Sequence, residues 1–131
     1  MSLTLELLPE PYAICRLAAH SPIPAWAEGG GFVGISRSPE ELSIVCWESR
    51  VPAGVQAERG WRALKLRGPF EFSLCGILAS VLNPLAQAQI GILAVSTFDT
   101  DYVWVKSGQL EPALQALESA GHVVQIPKEH P

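Results

Sequence analysis

The pattern FVGISRSPEELSIV at residues 32–45 returns as ILAVSTFDTDYVWV at residues 92–105. In each copy an apolar run ends at a serine, Ser36 or Ser96. Four turn-type residues follow, Arg37-Ser38-Pro39-Glu40 or Thr97-Phe98-Asp99-Thr100, and an acid, Glu41 or Asp101, opens a second apolar run. Four residues between β-like runs are a hairpin signature, with the serine and the acid placed to flank the loop mouth. A hairpin repeated at this spacing implies two copies of one small domain. A chain of 131 residues is long enough for one domain or for two very small lobes sharing a core. Residues 51–60, with Pro52, Gly54 and Gly60, form the natural connector, so the expected lobes are 1–60 and 61–131.

Composition narrows the function classes. Only 17% of residues are charged and 48% are hydrophobic, the balance of a well-buried globular chain. A net charge of −4 gives no basic field for phosphate, which excludes nucleic acid as an expected partner. No apolar run approaches the roughly 20 residues that span a bilayer. The N-terminus also lacks the basic start and long apolar stretch of a signal peptide, so a cytoplasmic protein without membrane partners is expected. Cys15, Cys46 and Cys75 are far apart, without a CxxC pair, and read as buried thiols. His20, His122 and His130 are scattered, so neither a metal site nor a cofactor is expected.

Element by element, residues 3–8 and 12–18 read as two strands pairing in a hairpin around Pro9-Glu10-Pro11. Gly29-Gly30-Gly31 lacks a phosphate-loop context and reads as a flexible turn. Residues 61–67 form a strand, and Leu74, Ile77, Leu78, Val81, Leu82 and Leu85 have the spacing of a core-facing helix. Pro84 interrupts that helix, removing a hydrogen bond to Ser80, so a kink near Asn83 or a break with a restart is expected. After the second hairpin comes a helix marked by Leu110, Ala113, Leu114 and Leu117, with Gly121 at its C′ position. A last strand spans residues 122–126. Residues 61–126 thus read β-α-β-β-α-β, the ferredoxin-like unit, in which the last strand lies antiparallel beside the first. The first lobe is helix-poor, and the N-terminal hairpin would complete its sheet as a permuted copy.

The second lobe resembles the ACT domain, the small-molecule regulatory module of amino-acid metabolism. The resemblance rests on Gly68-Pro69-Phe70-Glu71-Phe72, on Cys75-Gly76-Ile77-Leu78-Ala79, on Pro84-Leu85-Ala86 and on Ser96-Thr97-Phe98-Asp99-Thr100-Asp101-Tyr102. These segments look like bacterial tandem ACT proteins and are similar to the ACT units of aspartate kinases and cytosolic arginine sensors. The implied fold class is α+β, with tandem ferredoxin-like ACT lobes, the first permuted and helix-poor. The resemblance also implies a non-catalytic regulator that binds an amino acid between two ACT units and pairs as a homodimer. A helix N-terminus offers N–H donors to a carboxylate, and a nearby acid holds a cation. Carried onto this chain, the implied ligand-binding residues are Phe72, Leu74 and Gly76 at the strand–helix turn and Thr97, Phe98 and Asp101 at the hairpin mouth.

Each residue also has a structural reading. Asp101 caps turns as Asp does elsewhere, Gly76 permits close packing, and Phe72 and Phe98 fit a core. The alternatives to a sensor are an interaction module without a ligand and a small enzyme using a dispersed cysteine or carboxylate site. Catalysis wants converging titratable groups, and the acids here are dispersed without an attendant histidine.

Overall fold

The structure is a computed structural model, and it describes residues 1–71 and 74–127. In chain order the strands are β1 (Thr4–Leu7), β2 (Tyr12–Leu17), β3 (Gly34–Arg37), β4 (Leu42–Trp47) and β5 (Ala57–Leu66). Helix α1 (Ile77–Gln87) follows, then β6 (Ile92–Ser96), β7 (Asp101–Lys106), α2 (Leu110–Ser119) and β8 (Val123–Gln125). The chain forms two compact units. One holds Met1–Pro9 together with the chain from Arg62 onward, and the other holds Glu10–Trp61. The boundary therefore falls inside strand β5, and the first nine residues belong with the C-terminal part.

In the larger unit, β5 pairs with β7, and β7 pairs antiparallel with β6. On its other side β5 pairs antiparallel with β1, and β1 runs parallel to β8. The β-α-β-β-α-β order is the ferredoxin-like one, with an extra strand inserted: β1 lies between β5 and β8, where direct pairing of those two is expected. Because β1 is antiparallel to β5 and parallel to β8, the end strand keeps its ferredoxin-like direction. The expected β1–β2 hairpin does not form. The reason is burial: Leu5 and Leu7 enter a core with Leu64, Leu66, Val81, Leu85, Val103, Val105 and Leu117. Burying each such leucine contributes about 1.5–3 kcal/mol, far more than a marginal two-stranded hairpin offers.

The smaller unit is built on β3, β4 and β2 with residues 57–61 of β5. It has its own cluster of Ala13, Cys15, Ala27, Leu42, Ile44, Cys46 and Val51, so each unit has a core in place of the shared one expected. Its only helical pieces among the described residues are 3-10 turns at Ala25–Ala27 and Glu48–Arg50. The glycine triplet is a packing platform where a flexible turn is expected. A Cβ on Gly30 would lie 2.5 Å from the Trp47 ring, and one on Gly29 would lie 1.9 Å from Arg50 Nε. Cys15 and Cys46 sit diagonally across β2 and β4, both buried. A hydrogen bond with Cys46 and burial push the Cys15 thiol far above its usual range, which keeps it protonated.

Both hairpins of the sequence echo are present, one residue out of step with it. Arg37 and Leu42 close the first turn, whereas Ser96 and Asp101 close the second. Ser36 therefore faces Ser43 across the ladder and never meets Glu41. The cause is local: Ser38 Oγ accepts the Glu40 and Glu41 N–H groups at 3.2 Å each, winding the turn inside residues 38–41.

Helix α1 runs through Pro84 as a single helix, without the break and restart that is one of the two expectations. Ile77, Val81 and Leu85 are its buried stripe, while Leu74 stays in the preceding turn, half exposed. Pro84 has no N–H for the Ser80 carbonyl, and His122 supplies the missing donor. Its Nε2 lies 2.8 Å from Ser80 O, and its Nδ1 accepts the Leu3 N–H at 3.0 Å. A carbonyl only accepts, so the imidazole is the neutral tautomer with hydrogen on Nε2. His122 is placed by the Schellman turn ending α2: His122 N–H donates to Leu117 O and Gly121 N–H to Glu118 O, both at 3.0 Å. Gly121 is at C′ with φ 94, as the sequence leads one to expect.

His122→Ala leaves two part-buried backbone groups without their partner, and a loss of about 1–3 kcal/mol in urea unfolding is expected. Pro84→Ala restores an N–H to the Ser80 carbonyl. It should recover about 1 kcal/mol more in the His122→Ala background than in the wild type, a coupling that a double-mutant cycle measures. Strict additivity would show that His122 does not serve that carbonyl.

Candidate functional site

The β5–α1 turn and the β6–β7 hairpin loop meet at the end of the larger unit. Phe70 N–H donates to Asp99 O at 2.9 Å, and Thr100 Oγ1 donates to Leu66 O at 2.6 Å. Gly68 makes this approach possible, since a Cβ there would lie 2.8 Å from the Asp99 carbonyl. The hairpin loop is itself wound tightly. Thr97 N–H donates to Thr100 O at 2.8 Å, and Thr97 Oγ1 accepts the Thr100 N–H at 3.3 Å.

Between these two segments lies a cleft of about 150 Å³. Phe70, Glu71, Leu74 and Ile77 line it from the turn and helix, and residues 96–101 line it from the hairpin. Of the residues implied as ligand-binding, the structure brings together Leu74, Thr97, Phe98 and Asp101. Gly76 is the N-cap of α1, beside the cleft and outside its lining. Phe72 lies outside the described residues. Sequence reasoning missed Phe70, Glu71, Ile77, Asp99 and Thr100 as lining. Their signal was position within the segments that carry the resemblance, where all but Phe70 adjoin a chosen residue.

The cleft has a definite chemistry. Glu71, Asp99 and Asp101 line it, and no lysine, arginine or histidine is among the described lining residues. Asp101 is held in place by a hydrogen bond from Ser96 Oγ, its partner across the strand pair. Gly76, at φ 77, has no side chain to cap α1, so the first-turn N–H groups receive no side-chain acceptor from it. Apolar groups stand at the rim, with Phe98 80% exposed and Leu74 51% exposed. Such a cleft favours a cation beside its acids and an anion at the helix start. Cys15 and Cys46 are not in the lining, and Cys75, in the turn before α1, is exposed. Among the described residues no group of three or more histidines, cysteines or acids could hold a metal ion, and no helix is long and apolar enough to cross a membrane.

Comparison with known proteins agrees with this architecture. Residues 56–119 match the ACT domain family, and residues 10–54 match a separate family defined as an N-terminal domain. The human cytosolic arginine sensor for mTORC1 subunit 1 is 34% identical over 59 residues. That match spans 44% of this chain and only 18% of the sensor's length. A crystal structure of a protein from Agrobacterium tumefaciens is 45% identical, covers 100% of this chain and 98% of its own, and superposes with a TM-score of 0.94. The regulatory subunit of aspartate kinase from Thermus thermophilus shares the fold at 12% identity, with a TM-score of 0.62 over 88% of this chain and 96% of its own. The segment that builds the cleft, residues 56–119, thus matches the ACT domain family, as the resemblance implies.

Proposed function

We propose that this chain is a non-catalytic regulatory protein that binds an amino acid in the cleft between the β5–α1 turn and the β6–β7 loop. The observation that carries the proposal is the pairing of an acid-lined mouth, Glu71, Asp99 and Asp101, with a helix start that has no side-chain cap. The ligand's ammonium, or a cationic side chain, goes to the acids, and its carboxylate goes to the first-turn N–H groups. The match to the ACT domain family supports the same reading, and the arginine sensor among the relatives makes arginine the first ligand to try. The titratable groups in the described lining are carboxylates without a histidine, lysine or cysteine beside them, a set that suits binding better than turnover.

The ligand is held at an ACT–ACT interface, with the second ACT unit contributed by a homodimer partner. Two features support this. Phe98 and Leu74 leave apolar surface at the rim that a partner would cover. Strand β6 pairs only with β7 among the described residues, and its ILAV run has no charge to keep another strand away. The protein works in the cytoplasm, and the enzymes or signalling proteins that respond to it bind without nucleic acid or membrane. The first unit, with β2, a 3-10 turn, β3, β4, a second 3-10 turn and the start of β5 in direct order, is a helix-poor and unpermuted relative of the second.

A thermal-shift panel of the common amino acids tests the reading. At 100 times its dissociation constant a ligand adds about 2.7 kcal/mol, a clear rise in melting temperature. Asp101→Asn removes the charge while keeping the Ser96 hydrogen bond feasible, so the affinity measured by calorimetry should fall roughly tenfold or more in a folded mutant. Unchanged affinity would return Asp101 to a turn-closing role. No shift with any amino acid would leave an interaction module without a ligand.

The assembly has its own test. Sedimentation at micromolar concentration should give a species twice the 14.1 kDa mass of the chain. A lone 14.1 kDa species would remove the partner from the site.

A further inference from the structure

Asp99 and Thr100 line a second cleft, which shares no other described lining residue with the first. Glu6, Lys65, Arg67, Gly68 and Pro69 complete its walls, and its volume is about 310 Å³. Along β1 and β5 the leucines Leu5, Leu7, Leu64 and Leu66 point into the helix-covered core. Glu6 and Lys65 therefore stand on the sheet face turned away from the helices.

The pairing of charges on that face is unusual. Lys65 is directly opposite Glu6 in the strand register, the position where an ion pair is expected. Glu6 is instead engaged by Arg67, with Oε1 3.4 Å from both Nε and Nη2, and Arg67 Nη2 also donates to Gln125 Oε1. The Lys65 ammonium lies over the Tyr102 ring, 5.9 Å from its centroid. Among the described residues it has no carboxylate within ion-pair distance, and Arg67 Nη1 makes no hydrogen bond.

We infer that this cleft binds the carboxylate of a small organic acid, drawn by the Lys65 ammonium and the Arg67 guanidinium on its walls. Lysine supplies a point charge and the guanidinium edge supplies directed donors, a combination suited to a planar carboxylate. The remaining walls do not favour stronger anions. Glu6 and Asp99 balance the two cations, so the second charge of a phosphate dianion gains no advantage over a single carboxylate. The first cleft offers such a molecule only its helix start and no partner for its acids, so an acid without an ammonium is held there more weakly than an amino acid.

The full-length protein, titrated with butyrate at constant ionic strength and followed by amide NMR, tests the assignment. Butyrate has no ammonium, so the first cleft cannot hold it by its acids. Saturable shifts at Lys65 and Gly68, which line the second cleft and not the first, are expected, with affinity at least tenfold weaker in Lys65→Met. Lys65→Gln, which keeps a polar side chain, tests the same charge if the methionine variant fails to fold. Binding unchanged by loss of the Lys65 charge, no saturable shift, or saturation by inorganic phosphate in preference to butyrate would each overturn the inference.

Discussion

The larger unit depends on the position of one short strand. Between β5 and β8, β1 completes both hydrogen-bond ladders and places Leu5 and Leu7 beneath the helices. Four residues cannot hold such a slot by propensity. They hold it because two ladders and a core share them, and because the backbone around Leu3 is tied at two points. Leu3 N–H is accepted by His122, and Leu3 O accepts the Val123 N–H at 2.9 Å. Without β1, the outer strand β8 would lose its only partner among the described residues.

His122 shows how one substitution in a helix is balanced elsewhere in the fold. Pro84 costs α1 a hydrogen bond, and a buried unsatisfied carbonyl costs about 1–3 kcal/mol. The Schellman turn at the end of α2 carries an imidazole to that carbonyl and leaves its second nitrogen facing Leu3. The same ring thereby connects α1, the end of α2 and the start of β1. It is 4% exposed, and its polarity is fully used.

The Thr97–Thr100 loop lines both clefts of this unit. Its rigidity comes from within, through Thr97, and from bonds to the neighbouring turn: Thr100 to Leu66 and Asp99 to Phe70. A loop held at both ends keeps Asp99 and Asp101 in fixed places without help from a ligand. The first hairpin, though similar in sequence, has no such arrangement. Its turn is closed by Arg37 and Leu42, and Arg37 donates to Ala19 O and Ser21 O. The serine–acid pair that defines the second mouth is therefore absent from the first.

Local chemistry made much of this legible in the sequence. Alternating apolar runs, four-residue turns and Gly121 fixed both hairpins, both helices and the end of α2, because each depends on residues within a few positions of one another. The ACT resemblance, and Leu74, Thr97, Phe98 and Asp101 as one cluster, were also legible, since the motif residues lie in two short segments. Tertiary structure alone decided where β1 pairs, how Pro84 is accommodated and which acid joins a serine. It also decided that Lys65 is turned from Glu6 to Tyr102. The common reason is competition: a strand, a carbonyl or a carboxylate takes whichever partner gives the better burial or geometry. That choice is made among residues dozens of positions apart, or by a one-residue shift of register, and neither leaves a mark in the pattern of the chain.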